Sequence, residues 1–171
     1  MRIIVQIGIV MTLLMSACSS VDVSSEPEIK YGRDVCVQCG MIASEVKFAA
    51  AYRLDGEEFI FDDIGDLVVY ARGNGVELDP LQTWVHDYDT EDPLLVADAY
   101  FVPTMSVVTP MGHGVIALSD ETRALRVASQ FGGQVVGWDM LIMFPIDNGL
   151  VGSQSGDGMD MDGSGSMSGD G

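Results

Sequence analysis

The 171-residue chain predicts an α+β fold: two related ββαβ units packed as one domain, with a disordered N-terminal tether and a disordered C-terminal tail. Three observations predict it. Short alternating apolar runs stand beside two amphipathic stretches of helical period, in the order strand, strand, helix, strand, twice. Turn residues separate these runs at regular intervals. Both ends of the chain are polar and low in complexity, with little apolar surface to offset the entropy of ordering.

Residues 1–17 read as a lipoprotein signal peptide. Arg2 precedes an apolar run, IIVQIGIVMTLLM, as long as a signal-peptide core and short for a membrane span. It ends in Ser16-Ala17 before Cys18, as in a bacterial lipobox, so Cys18 is the expected lipidation site. Residues 18–30, polar and Ser-rich, read as a flexible tether. In the first unit, KFAAAYRLDGEEFIF reads as a hairpin with its turn at Leu54-Asp55-Gly56 and a second strand at Phe59 to Phe61. Asp62 or Asp63 then caps a short helix with Ile64, Leu67, Val68 and Ala71 on one face, stopped by Gly73. QTWVHDY is the next strand. In the second unit, ADAYFVPTMSVV supplies the first strand and Val115 to Leu118 the second. SDETRALRVASQFGG is a helix capped by Ser119 or Asp120, with Leu125, Ala128 and Phe131 spaced for burial and Gly132-Gly133 as its stop. QVVGW closes the unit as a strand. The domain spans 31–151. Residues 152–171 form an acidic tail of Gly, Ser, Asp and Met.

Composition restricts the function classes. With 26 acidic and 8 basic residues the net charge is −18, which repels nucleic acid and anionic lipid and attracts cations and basic partners. No basic strip is present to follow a phosphate backbone. Carboxylates are abundant, yet none stands in a catalytic spacing with either histidine, so the chain reads as a binding protein, not an enzyme.

Two short Gly-bearing loops concentrate soft and imidazole donors. One is Cys36-Val-Gln-Cys39-Gly-Met41. The other is Thr109-Pro-Met111-Gly-His113-Gly, where Pro and Gly break both helix and strand. Met105, Met140 and Met143 read as core packing, and His86, inside a strand, as a structural histidine. Export would remove the thiols from cytosolic reductants. If lipidation consumes Cys18, Cys36 and Cys39 are the free pair. They admit four readings. The pair could be a disulfide, or a redox couple, which lacks its usual βαβ setting. It could be half of a zinc site completed by His86 and His113. It could also belong to a soft site for Cu(I), favoured by thiolate and thioether. The tail methionines Met159, Met161 and Met167 add soft donors.

CVQCGMIAS, FIFDDIGDLVVYA, WVHDYDTEDPLLVADAYFV, TPMGHGVIAL and FGGQVVGWDML, taken in this order, resemble the NosL-type copper chaperone lipoproteins. The resemblance runs from about Asp34 to Leu141. It implies an exported, membrane-anchored protein that binds one Cu(I) and supplies copper to an extracytoplasmic cuproenzyme, nitrous-oxide reductase in denitrification. It implies Cys39 and Met111 as copper ligands with His113 as a third, and Cys36 and Met41 as further candidates. It also implies attachment through a lipid on Cys18, on the periplasmic or cell-surface side. The alternatives are an extracytoplasmic thiol–disulfide protein using Cys36 and Cys39, or a zinc-binding or structural lipoprotein.

Overall fold

A computed structural model describes residues 25–146. The leader, Cys18, the first part of the tether and the Met-bearing tail lie outside the described residues.

The first unit starts with a 3-10 turn, Val46–Phe48, followed by Ala49. Strands β1 (Ala50–Leu54) and β2 (Glu57–Phe61) then form the expected hairpin, in register from Ala50↔Phe61 to Leu54↔Glu57. Its two-residue turn, Asp55-Gly56, has positive φ at both positions (52° and 84°), the geometry that matches strand twist. Helix α1 (Ile64–Asn74) follows, capped by the Asp63 carboxylate, which accepts from Gly65 N. Ile64, Leu67, Val68 and Ala71 are buried, as their spacing predicts. The helix ends at Gly75 and not at Gly73, because Gly75 takes the left-handed conformation (φ 63°) whose N–H closes on Ala71 O and Arg72 O. Gly73 is merely tolerated within the last turn. Strand β3 (Thr83–His86) pairs with β1, and β4 (Pro93–Leu95) pairs with β3, giving the antiparallel order β2-β1-β3-β4. The sequence reading contains no β4. This three-residue strand begins with proline and occupies the sheet edge, where a missing N–H is tolerated.

The second unit repeats the plan, down to its opening: a 3-10 turn at Val96–Asp98, then Ala99. Strands β5 (Tyr100–Pro103) and β6 (Val115–Leu118) pair antiparallel. Helix α2 (Glu121–Phe131) is capped by Asp120, which accepts from Arg123 N, and ends at Gly132. Ala124, Val127 and Ala128 are buried, while Leu125, expected in the core, is 56% exposed. Positions 124, 127, 128 and 131 form the i, i+3, i+4, i+7 stripe, and Leu125 lies about 100° away from it. The predicted strand QVVGW shrinks to one bridge, Val136 against Phe101. Gly137 then turns the chain so that Trp138 opens helix α3 (Trp138–Met143) and packs 5.8 Å from the Phe101 ring. Burying that indole takes precedence over extending the ladder.

The units join where the chain leaves β3. Tyr88 N donates to Ala117 O on β6 (2.8 Å), and a shared core includes Val85, Phe101, Val115 and Ala117. Met105, Met140 and Met143, read as core, are exposed instead, at 70%, 53% and 77%. They sit on a loop and on the outer side of short α3, where one face suffices to cover the core. Ser25 to Lys30, read as tether, lie against the first sheet: Arg53 donates to Ser25 O, Glu26 pairs with His86, and Ile29 packs on Ala51 and Ile60. Among the described residues no helix is long and apolar enough to cross a membrane.

Candidate metal centre

The two hairpin connections differ in length. The first unit turns in two residues, whereas the second uses residues 104–114, the stretch carrying Met111 and His113. Gly114 N–H donates to Thr109 Oγ1 and Thr104 N–H to Gly114 O. A Cβ at Gly114 would stand 2.1 Å from Thr104 O, so the loop closes only around glycine. It folds back onto the start of α1. The Thr109 hydroxyl and Met111 N–H both donate to Asp63 Oδ2 (2.5 and 3.0 Å), while Asp63 Oδ1 caps the helix. The imidazole of His113 lies against Gly65, where an added Cβ would meet His113 Cβ at 2.2 Å. Its Nε2 is 2.9 Å from Asp66 Oδ1, with both side chains almost fully buried.

The cysteine segment is a second small hairpin. Val35 bridges Ile42, Cys36 N–H donates to Met41 O (2.7 Å) and Gly40 N–H to Cys36 O (3.0 Å). Gly40 supplies the positive φ (77°) that turns the chain. Val37 N–H donates to Ile60 O and ties the hairpin to β2. Alternation leaves Val35 and Val37 half exposed and turns Cys36 inward, 1% exposed. Its thiol donates to Asp66 Oδ2, and the Cys39 thiol to Asp62 Oδ1, each at 3.2 Å.

Asp66 therefore joins the loops: one oxygen faces His113, the other Cys36. Of the residues singled out in the sequence, Cys36, Cys39 and His113 converge on this carboxylate. Met111 is held beside them through its backbone. Met41 closes the cysteine hairpin with its carbonyl and leaves its side chain half exposed. His86 belongs elsewhere. It is buried between Ala49 O, Glu26 and the Tyr31 hydroxyl, which removes the Cys₂His₂ zinc arrangement. Asp62 and Asp66 are the residues sequence reasoning missed. The sequence pattern marks Asp62 only as a candidate helix cap and gives Asp66 no role. Their signal was available: three acids at the start of one helix are more than capping requires.

Burial is the main force on the protonation states. It pushes both thiols up, and neighbouring Asp66 and Asp62 push Cys39 further. Backbone N–H groups of Cys39, Asp62 and Gln38 facing the Cys36 sulfur oppose the shift. Burial would also raise Asp66, but hydrogen bonds from His113 and the two thiols outweigh it and hold the carboxyl below its usual range. Both cysteines are free thiols. Cys36, Cys39, Asp62 and Asp66 each offer a donor atom, and these atoms all lie within 4.8 Å of one another.

Two ββαβ units with a dithiol hairpin and a Met-Gly-His loop, both fastened to the first turn of the first helix, define a small α+β protein built to hold a soft or borderline metal ion. The chain belongs to the NosL family, whose model matches residues 29–142. Its fold is similar to that of the crystal structure of the copper chaperone NosL from Shewanella denitrificans, with a TM-score of 0.57 and 19% identity, over 68% of this chain and 94% of that one. No curated protein matches the chain.

Proposed function

We propose that the protein is a Cu(I) metallochaperone, a binding protein without turnover. The observation that carries this reading is the convergence of the thiol hairpin and the Met-Gly-His loop on Asp66. Thiolate, thioether and imidazole donors brought from separate loops suit Cu(I), which binds soft ligands without needing water or a fixed geometry. Cys39 and Met111 supply sulfur, His113 a third donor, and Cys36 and Met41 stand by as alternative sulfurs. Cys39 and Met111 are only partly buried, so cargo held there stays open to exchange with a receiver. Family membership supports the reading, and the receiver proposed is an extracytoplasmic cuproenzyme, nitrous-oxide reductase. A lipid on Cys18 would hold the protein at the membrane beside that client.

The thiol–disulfide reading is disfavoured by a specific feature. A nucleophilic cysteine needs a lowered pKa, and both thiols here are pushed up. Anaerobic Cu(I) titration of the reduced protein against a competing chelator is the test. One ion per chain is expected, with affinity lost in Cys39→Ser and reduced in Met111→Ala. Thiol exchange that survives while copper affinity is negligible would sink the proposal. Anchoring is checked separately: Cys18→Ser should move the protein from the membrane fraction to the soluble one.

A further inference from the structure

His86 stands outside the metal centre, and its surroundings hold more than a structural histidine requires. The ring is almost fully buried, and both nitrogens face oxygen. Nδ1 lies 3.2 Å from Ala49 O. A carbonyl only accepts, so Nδ1 carries a proton. Nε2 has two oxygens within reach, Glu26 Oε1 at 2.8 Å and the Tyr31 hydroxyl at 3.3 Å. These two make opposite demands. A carboxylate only accepts, so it needs a proton on Nε2 and hence a charged ring. A hydroxyl can donate, so it satisfies Nε2 when the ring is neutral. Tyr31 keeps its own proton, because burial, Glu26 and Glu91 all push the hydroxyl well above its usual range. Glu26 is the nearer of the two, which is the arrangement of the charged ring.

We propose that His86, Glu26 and Tyr31 form a proton-operated latch on the strap of residues 25–30, closed when His86 is charged and open when it is neutral. Loss of the Nε2 proton turns the Glu26 hydrogen bond into two facing lone pairs. Tyr31 then points its O–H at Nε2, and the Glu26 side chain, already 23% exposed, swings to water. Histidine is the side chain that changes charge between about pH 5 and 8. A buried ion pair is weak evidence for stability, and a registry or switching role is its best-attested use. The other groups at this corner do not oppose release. Glu91 adds negative charge beside Tyr31. Pro93, opposite His86 on β4, carries no charge, and Asp87, the next residue along, is taken by Arg123. Arg53 bonds Ser25 O but also Glu58, so it keeps a partner when Ser25 leaves. With a net charge of −18, the molecule repels a strap bearing Glu26 and Glu28 once the imidazolium is gone. Ile29, packed on Ala51 and Ile60, is the hinge. Freeing residues 25–28 lets out about 13 Å of chain. The latch therefore sets how far the domain stands from a lipid on Cys18, nearer in acid and farther as pH rises. That consequence rests on the anchoring reading, whereas the latch itself does not.

The test is ¹⁵N relaxation on the full chain in detergent, between about pH 5 and 8. Order parameters of the Glu26 and Glu28 amides should fall from about 0.85, the rigid value, at the acid end to below about 0.6 at the alkaline end. The β1 amides should stay rigid throughout and report an intact fold. Glu26→Gln should keep the strap ordered across the range, because an amide can accept from the charged ring and donate to the neutral one. Tyr31→Phe should move the loosening to higher pH, since the neutral ring loses its donor. A wild-type strap equally ordered at both ends, or the wild-type profile retained in Glu26→Gln, overturns the latch. A Tyr31→Phe profile unmoved or displaced to lower pH overturns the exchange of partners. If Tyr31→Phe does not fold, the wild type and Glu26→Gln decide alone. If Cys18→Ser leaves the protein in the membrane fraction, the anchoring reading falls and the latch stands.

Discussion

Asp63 is fully buried and commits both carboxylate oxygens: one caps α1 and the other holds Thr109 and Met111. Asp63→Ala removes a helix cap, worth about 1 kcal/mol, and leaves the buried Thr109 hydroxyl without its acceptor, at about 1–3 kcal/mol. Urea denaturation should show a loss of about 2–4 kcal/mol. A loss under about 0.5 kcal/mol would mean that water or another group replaces the carboxylate. The thiols make a second prediction. Because Cys36 and Cys39 are both raised, they are protonated at neutral pH, and a metal must displace their protons. Apparent affinity should therefore climb with pH, by up to about tenfold per unit for each proton released. Competition titrations at pH 6, 7 and 8 measure the slope, and a flat profile contradicts thiolate ligation.

At the level of elements, the first turn of α1 is the platform on which both loops rest, and two glycines of this helix behave oppositely. At Gly65 an added methyl would meet His113 Cβ, Cγ and Cδ2 at 2.2–2.5 Å. Gly65→Ala must push the Met-Gly-His loop off the helix, at about 1–3 kcal/mol, and metal affinity should fall with it. At Gly73 nothing lies within 4 Å of the added methyl. Gly73→Ala should stabilise the helix by up to about 1 kcal/mol and leave the site alone. Thermal melts and metal titrations of the pair separate loop displacement from helix propensity. Equal affinities would remove His113 from the binding account.

Across the whole molecule, Asp87 fastens the two units. It lies just beyond β3 and accepts from Arg123 on α2, from Ser119 N and Oγ, and from Asp89 and Thr90 N. Burial alone would raise its carboxyl, but Arg123 and these hydrogen bonds outweigh burial and hold it well below the usual carboxylate range. A depressed folded pKa means stability fully present above the unfolded value, about 3.9, and lost as pH falls from there through the folded value. Arg123→Ala should lower stability at neutral pH and flatten its decline between about pH 4 and 2. Denaturant midpoints across that range report the slope, and an unchanged slope would place acid sensitivity elsewhere.

Local chemistry made much of this legible in the sequence. Asp55-Gly56 dictated its turn, Asp63 and Asp120 their helix caps, and Gly132 the stop of α2, because these choices depend on a few neighbouring residues, whereas Gly73 was passed over for Gly75 at the end of α1. The donor-rich loops also stood out, since Cys, Met and His between glycines have few structural uses. What lay beyond reach was everything settled by distant packing. Leu125 and Ala124 differ by one position, and only the sheet decides which faces the core. Trp138 leaves the expected strand because Phe101 offers it a place. The convergence of Cys36, Asp66 and His113 joins residues 30 and 47 positions apart. No local pattern encodes that meeting, which exists because β2 and the 104–114 connection deliver both loops to the first turn of one helix.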